Sequence, residues 1–476
     1  MTIDQTHLDA LKSIAGDKGY SDDPEIMSPH TQEPRGKFFG KTPLVLFPDT
    51  TKMVSEIVKY CNLHDIKIVP QGGVTGLVGG SIPDQSNNEI VISLKRMNKV
   101  RDKDPLNHTM TLESGVILSD AHKIAETIEM IFPMHIASEG SAMIGGNISS
   151  NAGGINVLKF GNMRELVLGL EVVFPNGDVW NGLTGLRKDN TGYDLKQLFI
   201  GGEGTLGIIT AATLKLYPKH NQVNTAFVAI PDPQAAINLL SLARETSGDS
   251  LIAFEILPRI GIEFTTKHMP GCREPLQDKY EWYILMECAT SLTSDLLNLE
   301  NVMERILETA MEKELVLDGV VPKNEKEQRE LWNLRDFMSE AQKFEGGSIK
   351  HDISVPVSKI PEFLKLGTEA VKAEIPGIRP VPFGHIGDGN IHFNLSQPID
   401  MKKEDYLEKW EDINHKVHEI VVKLGGSISA EHGIGTLKAE ELLHFKPDVD
   451  INTMRSIKDA IDQKNIMNPG RILTIN

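Results

Sequence analysis

Two short stretches concentrate groups able to ligate a metal or move a proton: GHIGDGNIHFN at 384–394 and SAEHGIG at 429–435. His385 and His392 flank Gly-Asp-Gly-Asn, a composition that demands a turn. A turn between two short strands would return both imidazoles to one side. Asn394, two residues past His392 on the same strand, would face the same way. Glu431 could complete a His₂-carboxylate set with a coordination position left open, the pattern of a catalytic rather than a structural metal site. His432 follows at once; if adjacent side chains diverge, its imidazole suits a general base near neutral pH. A third nitrogen ligand is the other reading of His432. Taken singly, each residue is equally well a hydrogen-bonded loop histidine or a solvated charge. Their clustering inside Gly-rich stretches is what favours an ion.

The rest of the chain must position these groups. At 476 residues it is too long for one ordinary core, and two or three domains are expected. A net charge of −17 argues against nucleic acid or an anionic membrane surface as partner. An anionic substrate would therefore need a local cationic pocket. Arg335 and Ser339 are four apart on NEKEQRELWNLRDFMSEAQKF, read as one long amphipathic helix, and Lys350 lies on IKHDISVP, read as a strand. Cys61, Cys272 and Cys288 are scattered, which suits a reducing compartment without disulfides. The N-terminus has neither a signal-peptide apolar core nor an Arg-rich leader, and no apolar run approaches the ~20 residues of a membrane span. A soluble, cytoplasmic protein is expected.

From Thr42 strand and helix alternate. TPLVLFP reads as a strand, and Asp49 or Thr50 can cap a helix carrying Val54, Ile57, Val58 and Cys61 on one face. Asn176-Gly177 reads as a hairpin turn. Beyond Lys219 the apolar runs suggest a βαβ-rich second domain, and the tail reads as a helix running to Asn468-Pro469-Gly470. Three glycine clusters, 71–81, 141–154 and 201–209, follow or precede apolar segments. Glycine lets backbone N–H groups approach a phosphate. None is a GxGxxG opening a βαβ helix or a P-loop, so a long pyrophosphate ligand held by separate segments is the reading.

Six runs, PQGGVTGLVGGS, GGNISSNAGGINVLKFGNMRELVLGLEVV, LRKDNTGYDLKQLFIGGEGTLGIIT, GHIGDGNIH, SAEHGIG and NPGRIL, together resemble the FAD-binding family of vanillyl-alcohol oxidase and p-cresol methylhydroxylase. The similarity spans nearly the whole chain from about residue 40 and lies on its D-lactate and D-2-hydroxyglutarate dehydrogenase branch. The resemblance implies an α+β fold: a two-part FAD-binding domain, an α+β substrate (cap) domain with an antiparallel sheet, and C-terminal helices returning to the flavin. Its domains would be 1–220 completed by about 440–476, then 221–394, with 395–439 carrying part of the metal and catalytic site.

The same resemblance implies FAD contacts from Pro70, Gly72, Gly73, Val74, Thr75, Gly76, Gly79 and Ser81 in the first loop. Ser138, Gly140, Gly145, Gly146, Asn147, Asn151 and Gly153 follow from the second, and Gly202, Glu203, Gly207 and Ile209 from the third. Asn468 would return to the flavin. Some relatives tether the flavin through a histidine where this chain has Val74, so non-covalent FAD is expected. His385, His392 and Glu431 are the implied ligands of a divalent ion, Zn²⁺ or another such as Mn²⁺ or Co²⁺. Arg335, Ser339, Lys350, Asn394 and His385 would bind substrate and His432 would take the hydroxyl proton. Tyr193 and Lys188 would be structural or flavin-side.

The activity implied is oxidation of a D-2-hydroxy acid, preferably D-2-hydroxyglutarate, to the 2-oxo acid, with D-lactate the alternative. Electrons would pass to an electron-transfer flavoprotein or a quinone, and a homodimer is the expected assembly. A flavin-free metallohydrolase built on GHIGDGNIH, or a non-catalytic flavin-binding module, are the readings from other classes.

Overall fold

The structure is a computed structural model in which residues 3–474 are described. The chain divides into two units, each discontinuous in sequence. The first comprises the residues up to Gly153, Gly161–Lys219 and the chain from Glu431 onward; the second comprises Gly154–Phe160 and His220–Ala430.

In the first unit Thr50 caps the helix Thr51–Leu63, its hydroxyl accepting from the Met53 amide at 3.2 Å. Val54, Ile57, Val58 and Cys61 on that helix are fully buried and pack in one core with Ile68, Ile90 and Ile92. Those isoleucines belong to a four-stranded sheet ordered Tyr20–Ser21, Val45–Leu46, Glu89–Ser93, Lys67–Gln71, parallel across its last three strands. The first glycine loop leaves the end of Lys67–Gln71. A five-stranded antiparallel sheet, ordered Val100–Asp104, Thr109–Glu113, Ile208–Lys215, Val167–Val173, Val179–Gly182, supplies the third loop just before Ile208. The hairpin at Asn176-Gly177 forms as read, with Gly177 at φ +81°.

The tail departs from the sequence reading. Its helix, Asp448–Ile461, stops short of Asn468 because the Asp462 carboxylate accepts the Ile466 and Met467 amides, at 3.0 and 2.8 Å, and Lys458 at 2.6 Å. The chain then runs irregularly beside Ile68, whose carbonyl takes the Asn468 amide at 2.8 Å.

The second unit carries two split βαβ units, Gln222–Ile230 to Leu251–Pro258 through the helix Pro233–Ser247, and Trp282–Thr290 to Asp318–Val320 through the helix Leu299–Glu312, with an antiparallel strand between the two strands of each. Its main sheet, ordered Leu251–Pro258, Trp282–Thr290, Gln222–Ile230, Asp318–Val320, is antiparallel throughout. Both faces are covered: Ala226, Val228 and Ile230 enter one core, Phe227 and Ala229 another. A sheet buried on both faces has continuous apolar strands. A second antiparallel sheet sets Asn390–Ser396 against Arg379–Phe383, Ser348–Ile349 and Asp352–Ser354. Lys350 therefore sits between two short strands rather than on one. The long helix is interrupted as well, into Glu325–Asp336, Met338–Ala341 and a 3₁₀ turn Gln342–Glu345. The break turns Met338, Ala341 and Gln342 into fully buried positions, so Arg335 and Ser339 stand on separate helices.

Candidate active site

In the first unit the three glycine loops line one common cavity. Pro70, Gly72, Gly73, Val74, Thr75, Gly76 and Ser81 line it, with Gly145, Gly146 and Asn147, then Glu203, Gly207 and Ile209. Gly79, Ser138, Gly140, Asn151, Gly153, Gly202 and Asn468 stand outside its wall. Gly79 packs against Phe38 and Thr436, and Asn151 accepts the Arg164 amide at 2.9 Å. Gln71, Leu94, Ser114, Met143 and Ser149, which motif reading passes over, also line the cavity. Gln71 is buried and spends its amide on the His30 and Ser81 carbonyls, at 2.7 and 2.6 Å, which pins the loop's two ends.

The residues present fit a dinucleotide. A Cβ at Gly76 or Gly146 would meet no described protein atom within 4 Å, so it is space for a ligand, not protein packing, that a side chain there would fill. Asn147 Nδ2 is buried without a hydrogen-bond partner among the described residues, a donor whose desolvation a ligand oxygen would offset. Val74 sits at φ +54°, a strained conformation for a β-branched residue of the kind that clusters at ligand sites.

His432 lines this cavity too. Its loop is held by Glu203, whose carboxylate accepts the Ile434 and Gly435 amides at 2.7 Å each. Burial pushes the Glu203 carboxyl up, and these two amides oppose the shift. A Cβ on Gly433 would lie 2.7 Å from Glu203 Oε1, so the close approach needs glycine. Asn468 donates to the Gly80 and Glu203 carbonyls at 2.9 and 2.7 Å, joining the first and third loops from behind. Tyr193, read as structural or flavin-side, is 96% exposed. With Lys188 it lines a separate polar hollow beside Trp180 and Tyr217.

In the second unit the Gly-Asp-Gly-Asn turn joins Arg379–Phe383 to Asn390–Ser396 and sets the His385 and His392 rings 5.5 Å apart. Gly384 exchanges backbone bonds with Ile256 at 3.0 and 3.1 Å, which places Glu255 beside His385. Glu255 is fully buried and accepts from His385 Nδ1 at 2.6 Å and Arg335 Nε at 2.7 Å. Burial alone would raise its carboxyl, but the His385 and Arg335 charges and hydrogen bonds outweigh this and hold it at about 2. Arg335 Nη2 lies 3.2 Å from His385 Nε2, so both ring nitrogens of His385 have polar partners. Asn394 is 2% exposed and donates to Gln342 at 2.8 Å. Asp352 lies opposite His392 in the sheet, buried, and accepts from Asn390 at 3.0 Å. Ser339 and Lys350 are half-buried. Sequence reading missed Glu255, Gln342 and Asp352. The available signal for Glu255 was a lone acid inside the apolar run LIAFEIL, a position that needs cationic partners.

Residues 42–182 match the FAD binding domain model and residues 219–472 the FAD linked oxidases, C-terminal domain. p-Cresol methylhydroxylase with substrate bound is similar over 99% of this chain and 98% of its own, with TM-score 0.74 at 17% identity, a likeness that shows the fold. The cavity and these domains define an FAD-dependent oxidoreductase of the p-cresol methylhydroxylase fold. Within that class the chain belongs to the D-2-hydroxyglutarate dehydrogenase family. It is 37% identical to D-2-hydroxyglutarate dehydrogenase, mitochondrial, of Arabidopsis thaliana, over 99% of this chain and 82% of the relative. It is 36% identical to a putative mitochondrial D-lactate dehydrogenase of Schizosaccharomyces pombe, over 98% and 90%.

The flavin-free metallohydrolase reading falls with the FAD-binding domain. The cytoplasmic expectation is also overturned, because these relatives are designated mitochondrial. No helix among the described residues is long and apolar enough to cross a membrane.

Proposed function

We propose that the protein oxidises D-2-hydroxyglutarate to 2-oxoglutarate. The reading is carried by the identity with a D-2-hydroxyglutarate dehydrogenase along almost the whole chain. Arg335, Lys350 and the Ser339 hydroxyl hold a substrate carboxylate, the guanidinium through a planar fork and the ammonium as a point charge. Asn394 and His385 contribute further polar contacts. His432 Nδ1 or Nε2 accepts the proton of the substrate hydroxyl as the Cα–H bond is broken. Non-covalent FAD, when bound, would supply the two-electron oxidant. His385, His392 and Glu431 would hold a divalent ion, which would supply Lewis acidity at the substrate hydroxyl. Electrons leave to an external acceptor, an electron-transfer flavoprotein or a quinone.

Anaerobic bleaching of the flavin against a panel of D- and L-2-hydroxy acids tests the reading. D-2-hydroxyglutarate should bleach fastest, and a preference for D-lactate would replace it with the other named activity. An Arg335→Ala enzyme with unchanged kcat/KM would remove the clamp. Full turnover after exhaustive chelation, with metal absence verified, would remove the ion.

A further inference from the structure

A second cluster of nitrogen and oxygen ligands lies in the first unit, where the helix Leu118–Glu126 faces the segment leading to the second glycine loop. It consists of His122 on the helix and His135 and Glu139 on the segment, with ligand atoms all within 4.8 Å of one another. His122 Nε2 lies 2.8 Å from the Met134 carbonyl oxygen. A carbonyl only accepts, so Nε2 carries the proton and Nδ1 of the neutral ring presents a lone pair.

The bare nitrogen faces a carboxylate. His122 Nδ1 is 3.9 Å from Glu139 Oε2, and His135 Nδ1 is 3.2 Å from the same oxygen. The two imidazole rings are 4.4 Å apart. A proton on His135 satisfies one side of the carboxylate and leaves the His122 lone pair directed at an electron-rich oxygen. A cation among the three atoms resolves that conflict. Metal–ligand distances of ~2.0–2.2 Å place tetrahedral ligands roughly 3.3–3.5 Å apart, so the observed separations need only small side-chain adjustments. The Met134 carbonyl does what a carbonyl behind a metal-ligating histidine commonly does, fixing tautomer and ring orientation. The side chains are 15%, 45% and 42% exposed, so an ion can enter and solvent can fill a fourth position.

We propose that His122, His135 and Glu139 form a divalent transition-metal site of the zinc type, additional to and independent of the ion proposed on His385, His392 and Glu431. The site cross-links the helix to the chain leading into the flavin cavity: the Ser119 amide bonds the Glu139 carbonyl at 3.0 Å, the Leu118 amide bonds Ala142 at 2.8 Å, and Met143 then lines the cavity.

The test is the zinc stoichiometry of the FAD-loaded enzyme, stripped with a chelator, re-equilibrated with Zn²⁺ and measured by plasma mass spectrometry and calorimetry. His122→Gln, whose amide can still donate to Met134, and the isosteric Glu139→Gln should each lose one equivalent of zinc, or weaken its binding at least 100-fold. Turnover and FAD content should stay within about twofold of wild type. Unchanged zinc content in both variants would overturn the site and leave an ordinary His135–Glu139 ion pair. The His392→Asn enzyme separates this inference from the catalytic reading. Zinc that persists there and disappears on adding His122→Gln belongs to the new site, whatever becomes of the catalytic ion.

Discussion

Glu255 is the residue on which the second unit's polar cluster turns. Its one buried carboxylate orients both His385 and Arg335, residues to which the proposed mechanism gives different tasks. Glu255→Gln keeps the volume, but its one amide oxygen can no longer accept from both His385 and Arg335 as two carboxylate oxygens do, nor balance the Arg335 charge. Loss of a carboxylate behind a ligating histidine commonly costs ~10–100-fold in metal affinity or activity. We expect kcat/KM and zinc retention in the His385–His392 site to fall by about that factor while FAD content holds, since the flavin cavity lies in the other unit. Zinc retention and kcat/KM both equal to wild type would show that Glu255 does not orient a ligand.

At the scale of elements, loops act in pairs. The HGIG segment takes its position from Glu203 on the third glycine loop, so Glu203 works through backbone placement, and His432 is the side chain it positions. Misplacing a reacting group by about 1 Å can cost ~10²-fold. Glu203→Gln should therefore slow flavin reduction by roughly 10–100-fold, and should slow it no further in a His432→Asn background, a non-additivity that a double-mutant cycle reads directly. Full additivity would mean that Glu203 acts elsewhere.

The 3₁₀ turn ending at Glu345 offers a pH test of a different junction. Its carboxylate joins Lys267 and His268 of the helix Arg259–His268 to Arg379 of the strand Arg379–Phe383. Burial raises the carboxyl, but these three partners outweigh it and bring it from 4.5 to about 2. A depressed acid contributes stability that is present above its unfolded value and lost as pH falls toward the folded one. Thermal melts should accordingly show wild type losing an advantage over Glu345→Gln between pH about 4.5 and about 2. A constant difference across that window would contradict the assignment.

At the scale of the chain, the residues from Glu431 onward return to the first unit and are locked there by charge. Arg471 forms a buried two-pronged pair with Glu89, at 2.6 and 3.0 Å, and donates to the Ile82 and Pro469 carbonyls. Arg471→Met would leave the Glu89 carboxylate buried and uncompensated, a change that costs about 3–5 kcal/mol. A clear fall in melting temperature is expected, with FAD released at a lower temperature, because the same tail carries Asn468 to the backs of two cavity loops. Melting followed by flavin fluorescence measures both.

Much of this was legible in one dimension, because the relevant physics is local. The Thr50 cap, the Val54–Cys61 face, the Asn176-Gly177 hairpin and the turn that pairs His385 with His392 depend on neighbours a few residues away. The glycine loops announced themselves by composition, and six ordered motifs pointed to the family. Long-range partnership was not legible. The break after Asp336 and the early end of the last helix follow from the inward turn of Gln342 and the Asp462 cap. Glu255 meets Arg335 and His385, which are 80 and 130 residues away, and Glu203 holds amides 231 and 232 residues away. A sequence shows that a buried acid will need partners; only the folded chain, by bringing distant donors within hydrogen-bond reach, decides which ones.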